Sequence, residues 1–329
     1  MIKKLQIYTE SSPEIGLGHL VECISIKNIL EDRYGFEKTV FIVNGDEKAK
    51  NFLTSKKVEF CMVENGFVSP GDEIKQYDAV LVNKKHVKYE FLRMLKGFAK
   101  KLIVIDELGE KKITADLLVN FSINPKLHKY EFPDSKPITL LGPEYFPASR
   151  AVHEALELPK KTNRQTIIVS LGGYDKSRIV DKVLMALQKD HEFRKQIILG
   201  PGFHQDTAFK DFVNSLDDTF EIHNSVNDLP GKIRDACFLI SSGGNTVYEA
   251  VIVGTPVLVI GDDPHEIEQG KIFEKKGWAI NMDEGKRADI EAIIDAIDNM
   301  KSREFSLDKV FQLKQWYKLL VKNPEVQVH

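Results

Sequence analysis

Short apolar runs alternate with stretches of helical period along most of this chain, and that alternation limits the possible folds more than any other feature. A run such as Leu102-Ile103-Val104-Ile105 has no polar face, so it suits a strand covered on both sides. Strands of this kind are expected at 5–8, 39–43, 79–82, 102–105 and 117–119. A second set follows at 167–170, 196–199, 220–222, 238–240 and 257–260. Between them lie segments such as 20–30, where Cys23, Ile26 and Leu30 recur at three- and four-residue spacing, as on an amphipathic helix. The pattern predicts an α/β protein with parallel sheets and helices on both faces.

At 329 residues the chain is long for one domain, and two of about 150 residues are expected. The boundaries read as a Rossmann-like domain over 1–155, a polar, basic linker over 156–164 and a second Rossmann-like domain over 165–305. Pro125, Pro133, Pro137, Pro143 and Pro147 mark a less regular stretch at the end of the first. A terminal segment over 306–329, with a helix expected at 307–321, would pack back on the first domain. Doubly wound sheets bind ligands at the carboxyl ends of their strands, so the cleft between two such sheets is the expected site.

Composition narrows the class. With 42% hydrophobic and 29% charged residues the chain reads as a globular enzyme, and a formal net charge of -3 gives no general pull toward nucleic acid. Lys84-Lys85 and Lys160-Lys161 read as solvated faces. Cys23, Cys61 and Cys237 have neither CxxC nor metal-ligand spacing, so they read as reduced core residues. No apolar run approaches the ~18 residues of a membrane span. Met1-Ile2-Lys3-Lys4 leads into the first strand without the apolar core of a secretory leader, so a cytoplasmic protein is expected.

The segment with the most chemistry runs from Ser241 through Ser242, Gly243, Gly244, Asn245 and Thr246 to Glu249 and Ala250, and then to Gly254-Thr255-Pro256. It joins two apolar strands, with its glycines at the strand-to-helix turn. Backbone N–H groups and the positive end of the helix dipole meet there, which suits a diphosphate. Glu249 lies about one and a half turns into the helix, within reach of a sugar hydroxyl beside such a phosphate. Gly16-Leu17-Gly18-His19 follows the first strand and opens the first long helix. A histidine at a helix N-terminus is held neutral, as a general base requires; a tight turn whose histidine caps the loop is the other reading. Val21 stands where a dinucleotide motif has its third glycine, which disfavours NAD. Leu171-Gly172-Gly173-Tyr174-Asp175 repeats the arrangement in the second half, and an ordinary turn is an equal reading. Leu199-Gly200-Pro201-Gly202 reads as a turn, 223–229 as a polar loop with backbone free to read a base edge, and Asp262-Asp263 as a loop at the cleft rim.

Taken together, the early GxGH, the mid-chain GG-x-D and the late S-x-G-G-x-T-x-x-E-A ending in G-x-P resemble the GT-B nucleotide-sugar enzymes. The likeness is to the UDP-sugar hydrolase of pseudaminic acid biosynthesis and the spore-coat polysaccharide proteins, and more distantly to MurG-like glycosyltransferases. Ile105-Asp106-Glu107, the run at 115–120, and Leu141-Gly142-Pro143-Glu144-Tyr145 before Arg150 fit it too. The resemblance implies UDP held mainly by the second domain and a sugar facing the first. It implies that Gly243, Gly244 and Asn245, flanked by Ser242 and Thr246, surround the diphosphate, that Glu249 binds the ribose and that backbone near Val226 holds uracil. Gly16, Gly18, Gly172, Gly173 and Asp175 would line the substrate, and His19 would be the base. No cofactor and no divalent metal is expected, since helix N-termini would neutralise the leaving phosphate. Two positions depart from the resemblance: Glu22 stands where the hydrolase motif has arginine, and Asn83-Lys84-Lys85 where a loop tyrosine is usual. The function expected is release of a modified hexose from UDP by water. A metal-independent GT-B glycosyltransferase and a non-catalytic nucleotide-sugar binder are the alternatives.

Overall fold

The computed structural model describes residues 4–13, 15–63, 75–109, 111–159, 162–173, 175, 177–224, 226–283, 285–307 and 310–321. Two compact units divide the chain. One contains the residues through Arg150 together with those from Gln312 onward, and the other spans Ala151–Phe311.

The first unit is built on a seven-stranded sheet of order β3-β2-β1-β4-β5-β6-β7. Its strands are β1 (Lys4–Ser11), β2 (Lys38–Gly45), β3 (Glu59–Val63), β4 (Ala79–Asn83), β5 (Leu102–Ile105), β6 (Leu117–Asn120) and β7 (Ile138–Leu141). Every pairing is parallel. Helices α1 (Gly18–Tyr34), α2 (Glu47–Ser55) and α3 (Tyr89–Phe98) connect them. All residues of β4, β5 and β6 are buried, as their continuous apolar runs require. The edge strands β3 and β7 escape the sequence reading because partial exposure breaks up their apolar pattern. Cys61, expected in the core, lies exposed on β3, whereas Cys23 is buried on α1.

The second unit carries a six-stranded parallel sheet of order β10-β9-β8-β11-β12-β13. These strands are β8 (Thr166–Ser170), β9 (Arg194–Ile198), β10 (Phe220–His223), β11 (Phe238–Ser241), β12 (Val257–Val259) and β13 (Ala279–Asn281). The unit begins within α4 (Arg150–Glu157) and adds α5 (Ile179–Leu187), α6 (Thr207–Asn214), α7 (Leu229–Arg234), α8 (Asn245–Ile252), α9 (Pro264–Lys275) and α10 (Ile290–Ser302). The polar stretch at 156–164 starts in the last turn of α4, and its Lys160 and Lys161 lie outside the described residues. Val183, Leu184, Leu187, Ile293 and Ile297 of α5 and α10 pack with Ile167, Ile197 and Ile240 of the sheet in one apolar core.

The stretch 307–321, expected to be helical, is helical only in α11 (Lys318–Val321). Its aromatic residues recur without a helical period and serve different partners. Phe311 packs against Tyr248 and Trp278, while Trp316 stacks on Tyr317 at 4.5 Å. Lys314 donates its backbone N–H to the Glu144 carbonyl at 2.8 Å.

Both sheets reverse direction of winding beside their first strand, between β1 and β4 in one and between β8 and β11 in the other. Loops leave such a switch point in opposite directions and open a crevice at the strand carboxyl ends. The loops after β1 and β4, and those after β8 and β11, carry most of the residues singled out in the sequence.

Candidate functional site

In the first unit the loop after β1 folds back on itself before α1. The Ser11 hydroxyl donates to the Gly16 carbonyl at 2.8 Å, and the Gly16 N–H donates to Ser12 O at 2.8 Å. Gly16 adopts φ +83°, a left-handed conformation that a side chain would strain. Asp46, Asp206, Asp228, Asp263 and Asp289 each cap a helix N-terminus with a carboxylate, whereas Leu17 at the head of α1 offers no side-chain cap. Gly18 opens that helix at the surface and His19 follows it inward.

The His19 side chain is 11% exposed, with Nε2 3.7 Å from Glu107 Oε1 just beyond β5. Burial, reinforced by the Lys85 and Lys84 ammonium groups, lowers its pKa to about 4, so the imidazole is neutral at physiological pH. One turn along α1, Glu22 accepts a 2.7 Å hydrogen bond from Asn83 Nδ2 at the end of β4. Glu22 also shares a hydrogen bond with Glu107, whose carboxyl is pushed well above the usual range by burial and then by the Glu22 charge. Two touching carboxyls cannot both ionise, so the pair holds one proton. Lys84 and Lys85 are not the solvated face expected of them. Lys84 Nζ sits 3.4 Å from Glu10 Oε2, with its side chain 12% exposed, and the Lys85 N–H donates to Glu10 Oε1 at 2.7 Å.

In the second unit the loops after β8, β9 and β11 converge. A Cβ on Gly200 would lie 2.1 Å from the Gly172 carbonyl oxygen and 2.7 Å from Gly173 Cα, so Gly200 is more than a turn residue. Gly172 itself has φ +85°, and the Ser242 hydroxyl lies 3.7 Å from where its Cβ would be. The two oxygens of Asp175 accept from the Ile179 and Val180 N–H groups at 2.9 and 2.7 Å, which caps α5. Arg178 then enters the left-handed region at φ 54°, held between the Phe203 and Phe209 rings and by the Asp181 carboxylate at 2.8 Å.

After β11, Gly243 takes φ +120° and Gly244 stands at the head of α8 without a side-chain cap. Asn245 and Thr246 form the first half-turn of that helix. Two residues of α9 not singled out in the sequence, Gln269 and Glu266, fix this turn, with the Asp262-Asp263 loop before it. Gln269 Nε2 donates to the Gly243 carbonyl at 3.0 Å, and its Oε1 accepts from the Tyr248 hydroxyl. The Ser242 hydroxyl hydrogen-bonds the Glu266 carboxyl, which also accepts the Asp262 N–H at 2.7 Å. Asp262 in turn accepts from the Ser177 hydroxyl, and Asp263 caps α9. Among the described residues no group of His, Cys, Asp and Glu has the arrangement of a metal site. Val226 lies at the same carboxyl edge of the sheet, in the loop after the marginal strand β10, beside Ser225 outside the described residues.

Burial raises the pKa of the Glu249 carboxyl to about 7. Its unfolded value is near 4.5, so the native state holds a proton that the unfolded chain has lost between those pH values. The stability from that proton is complete below pH 4.5 and disappears as pH rises through 7. Glu249→Gln is therefore expected to raise Tm at pH 8, by the equivalent of roughly 1–2 kcal/mol allowing for partial exposure, and to leave it unchanged at pH 4. Thermal unfolding at both pH values checks this, and an equal change at both would refute it.

No protein-family model matches the chain. It is 27% identical over 269 residues to the uncharacterized protein MJ1062 of Methanocaldococcus jannaschii, covering 78% of this chain and 55% of that one. The chain thus spans just over half the length of that relative. Spore coat polysaccharide biosynthesis protein SpsG of Bacillus subtilis is 24% identical over 300 residues, which is 88% of this chain and 86% of SpsG. A Rickettsia rickettsii UDP-N-acetylglucosamine–N-acetylmuramyl-(pentapeptide) pyrophosphoryl-undecaprenol N-acetylglucosamine transferase is 22% identical over 267 residues, 75% of this chain and 66% of the transferase. The crystal structure of Acinetobacter baumannii MurG superposes with a TM-score of 0.63 at 11% identity, covering 97% of this chain and 98% of MurG. The fold is of the GT-B type. Among the described residues, no helix is long and apolar enough to cross a membrane.

Proposed function

We propose that this chain hydrolyses a UDP-linked modified amino sugar, in surface polysaccharide or nonulosonic acid biosynthesis. The observation that carries the reading is His19: a buried, neutral imidazole at a sheet's switch point, with Nδ1 making no hydrogen bond among the described residues. A second support is the glycine turn at 243–244, whose uncapped helix end and backbone N–H groups suit the β-phosphate of a leaving UDP. The Glu249 carboxyl suits the ribose hydroxyls, and backbone beside Val226 the uracil. Gly16, Gly18, Gly172 and Gly173 leave backbone accessible to the substrate, and Asp175 and Glu266 keep two of the loops in place. A UDP-sugar also fits the name of the Rickettsia relative, and polysaccharide synthesis that of SpsG.

In the reaction His19 takes a proton from water as the oxygen bonds to the anomeric carbon. The bond from that carbon to the β-phosphate oxygen breaks, and UDP departs with the electron pair. The second reading replaces water by a hydroxyl acceptor, and the transferase among the relatives favours it. Incubation with a panel of UDP-sugars, with and without sugar and lipid acceptors, separates the two. Hydrolysis predicts UDP and free sugar in equal amounts without any acceptor. UDP release that depends on an acceptor would replace this reading by transfer, and UDP binding without turnover on any donor would refute both.

A further inference from the structure

The environment of His19 contains two unfinished contacts. His19 Nδ1 and Glu107 Oε1 are both buried, and neither has a hydrogen-bond partner among the described residues. Glu107 Oε1 is the atom 3.7 Å from His19 Nε2, so the hydrogen bond between Glu107 and Glu22 runs through the other oxygen. Glu22 is occupied as an acceptor by Asn83 Nδ2. The shared proton therefore sits on Glu107 and points at Glu22, which leaves Oε1 a carbonyl-type acceptor facing the imidazole.

We propose that Glu107, locked by Glu22 and Asn83, is a positioning residue that accepts the His19 Nε2–H and so makes Nδ1 the proton-accepting atom. The proposal rests on the reading of His19 as the base. Closing 3.7 Å to a hydrogen bond of about 3 Å is a small movement, and catalytic hydrogen bonds are often long before substrate binds. When Nδ1 takes the proton of water or of an acceptor hydroxyl, the oxygen–carbon bond forms and the bond to UDP breaks. The imidazolium, with protons on Nε2 and Nδ1, then lies against an acid pair of net charge -1 that keeps its one proton on Glu107.

The other groups around the pair leave that charge in place. On α1, Cys23 is a thiol held protonated by burial. From β1, Glu10 is matched by Lys84, and at the end of β5 the Asp106 carboxylate accepts the Tyr130 hydroxyl at 2.8 Å and the Leu108 N–H at 3.1 Å. Lys85 and Lys84 oppose imidazolium formation, and the acid pair sets its negative charge against the ring from Glu107 Oε1, 3.7 Å from Nε2.

The test is the tautomer of His19, read from two-bond proton–nitrogen NMR correlations of the full-length protein at pH 7. The expected wild-type spectrum has the proton on Nε2. Glu107→Leu should give the Nδ1–H form or an averaged pair and lower kcat/KM about 10- to 100-fold with little change in KM. Glu107→Gln should keep the wild-type tautomer and most of the activity, because its amide N–H₂ can donate to Glu22 while its oxygen faces Nε2. A wild-type proton on Nδ1, or an unchanged tautomer in Glu107→Leu, would overturn the proposal. If Glu107→Leu does not fold, the wild-type and Glu107→Gln spectra still decide. A correct tautomer with no turnover on any UDP-sugar would instead count against the hydrolase reading alone.

Discussion

His19→Ala is expected to lower kcat on the nucleotide-sugar substrate by about 10²–10⁴-fold, the usual contribution of a positioned general base. The affinity for UDP alone should stay within about twofold, since the nucleotide is assigned to the second unit. Steady-state kinetics with calorimetric UDP binding measures both, and near-full turnover in the variant would remove His19 from the mechanism. The pH profile gives an independent sign. An ordinary histidine would lose activity as pH falls through 6.5, but burial beside Lys85 and Lys84 lowers this one to about 4. Activity dependent on neutral His19 should therefore persist to about pH 5 and fall only near 4. The same shift means that the unfolded chain binds the proton first, so folding stability also declines as pH drops below 6.5.

Gly243→Ala carries the second large effect, and Gly244→Ala is its control. A Cβ on Gly243 would stand 2.8 Å from Glu266 Cβ and 3.0 Å from Glu266 O, on a backbone whose φ of +120° excludes side chains. The turn must move, at about 1–3 kcal/mol of strain, and the N–H groups assigned to the diphosphate move with it. UDP affinity should fall about 10- to 100-fold, the equivalent of one or two charge-assisted hydrogen bonds. At Gly244 an added Cβ meets nothing within 4 Å, so Gly244→Ala should fold with unchanged Tm. Any loss of UDP binding in that variant measures how closely the ligand approaches the backbone. Wild-type UDP affinity in both variants would refute the assignment of this turn to the diphosphate.

The parts of the fold legible in the sequence are those where burial on both faces leaves an unbroken run of three or more apolar residues. β4, β5, β6, β11 and β12 are of this kind. β3, β7 and β13 stand at sheet margins, where a strand is partly exposed or only three residues long and its pattern merges with a loop. The glycine turns were legible for a different reason, since positive φ strains a side chain at Gly16, Gly172 and Gly243, and at Gly243 Glu266 also approaches closely. What supports them was not. Asn83 meets Glu22 across 61 positions and Gln269 meets the Gly243 carbonyl across 26, and such pairings follow from strand order rather than from local spacing. Glu107 had one local sign: an acid directly past a fully buried strand, next to Asp106.

The division of the chain also bears on its synthesis. The second unit is continuous, whereas the first needs the residues from Gln312 onward, among them Lys314 on the Glu144 carbonyl and Leu319, whose carbonyl accepts from Lys101 Nζ. Domains fold as units while the ribosome elongates them. The unit begun first is thus the one finished last. Its sheet emerges early but is closed only by residues made after the second unit, so a chain truncated after residue 311 would carry a whole second unit beside a first one still open to chaperones.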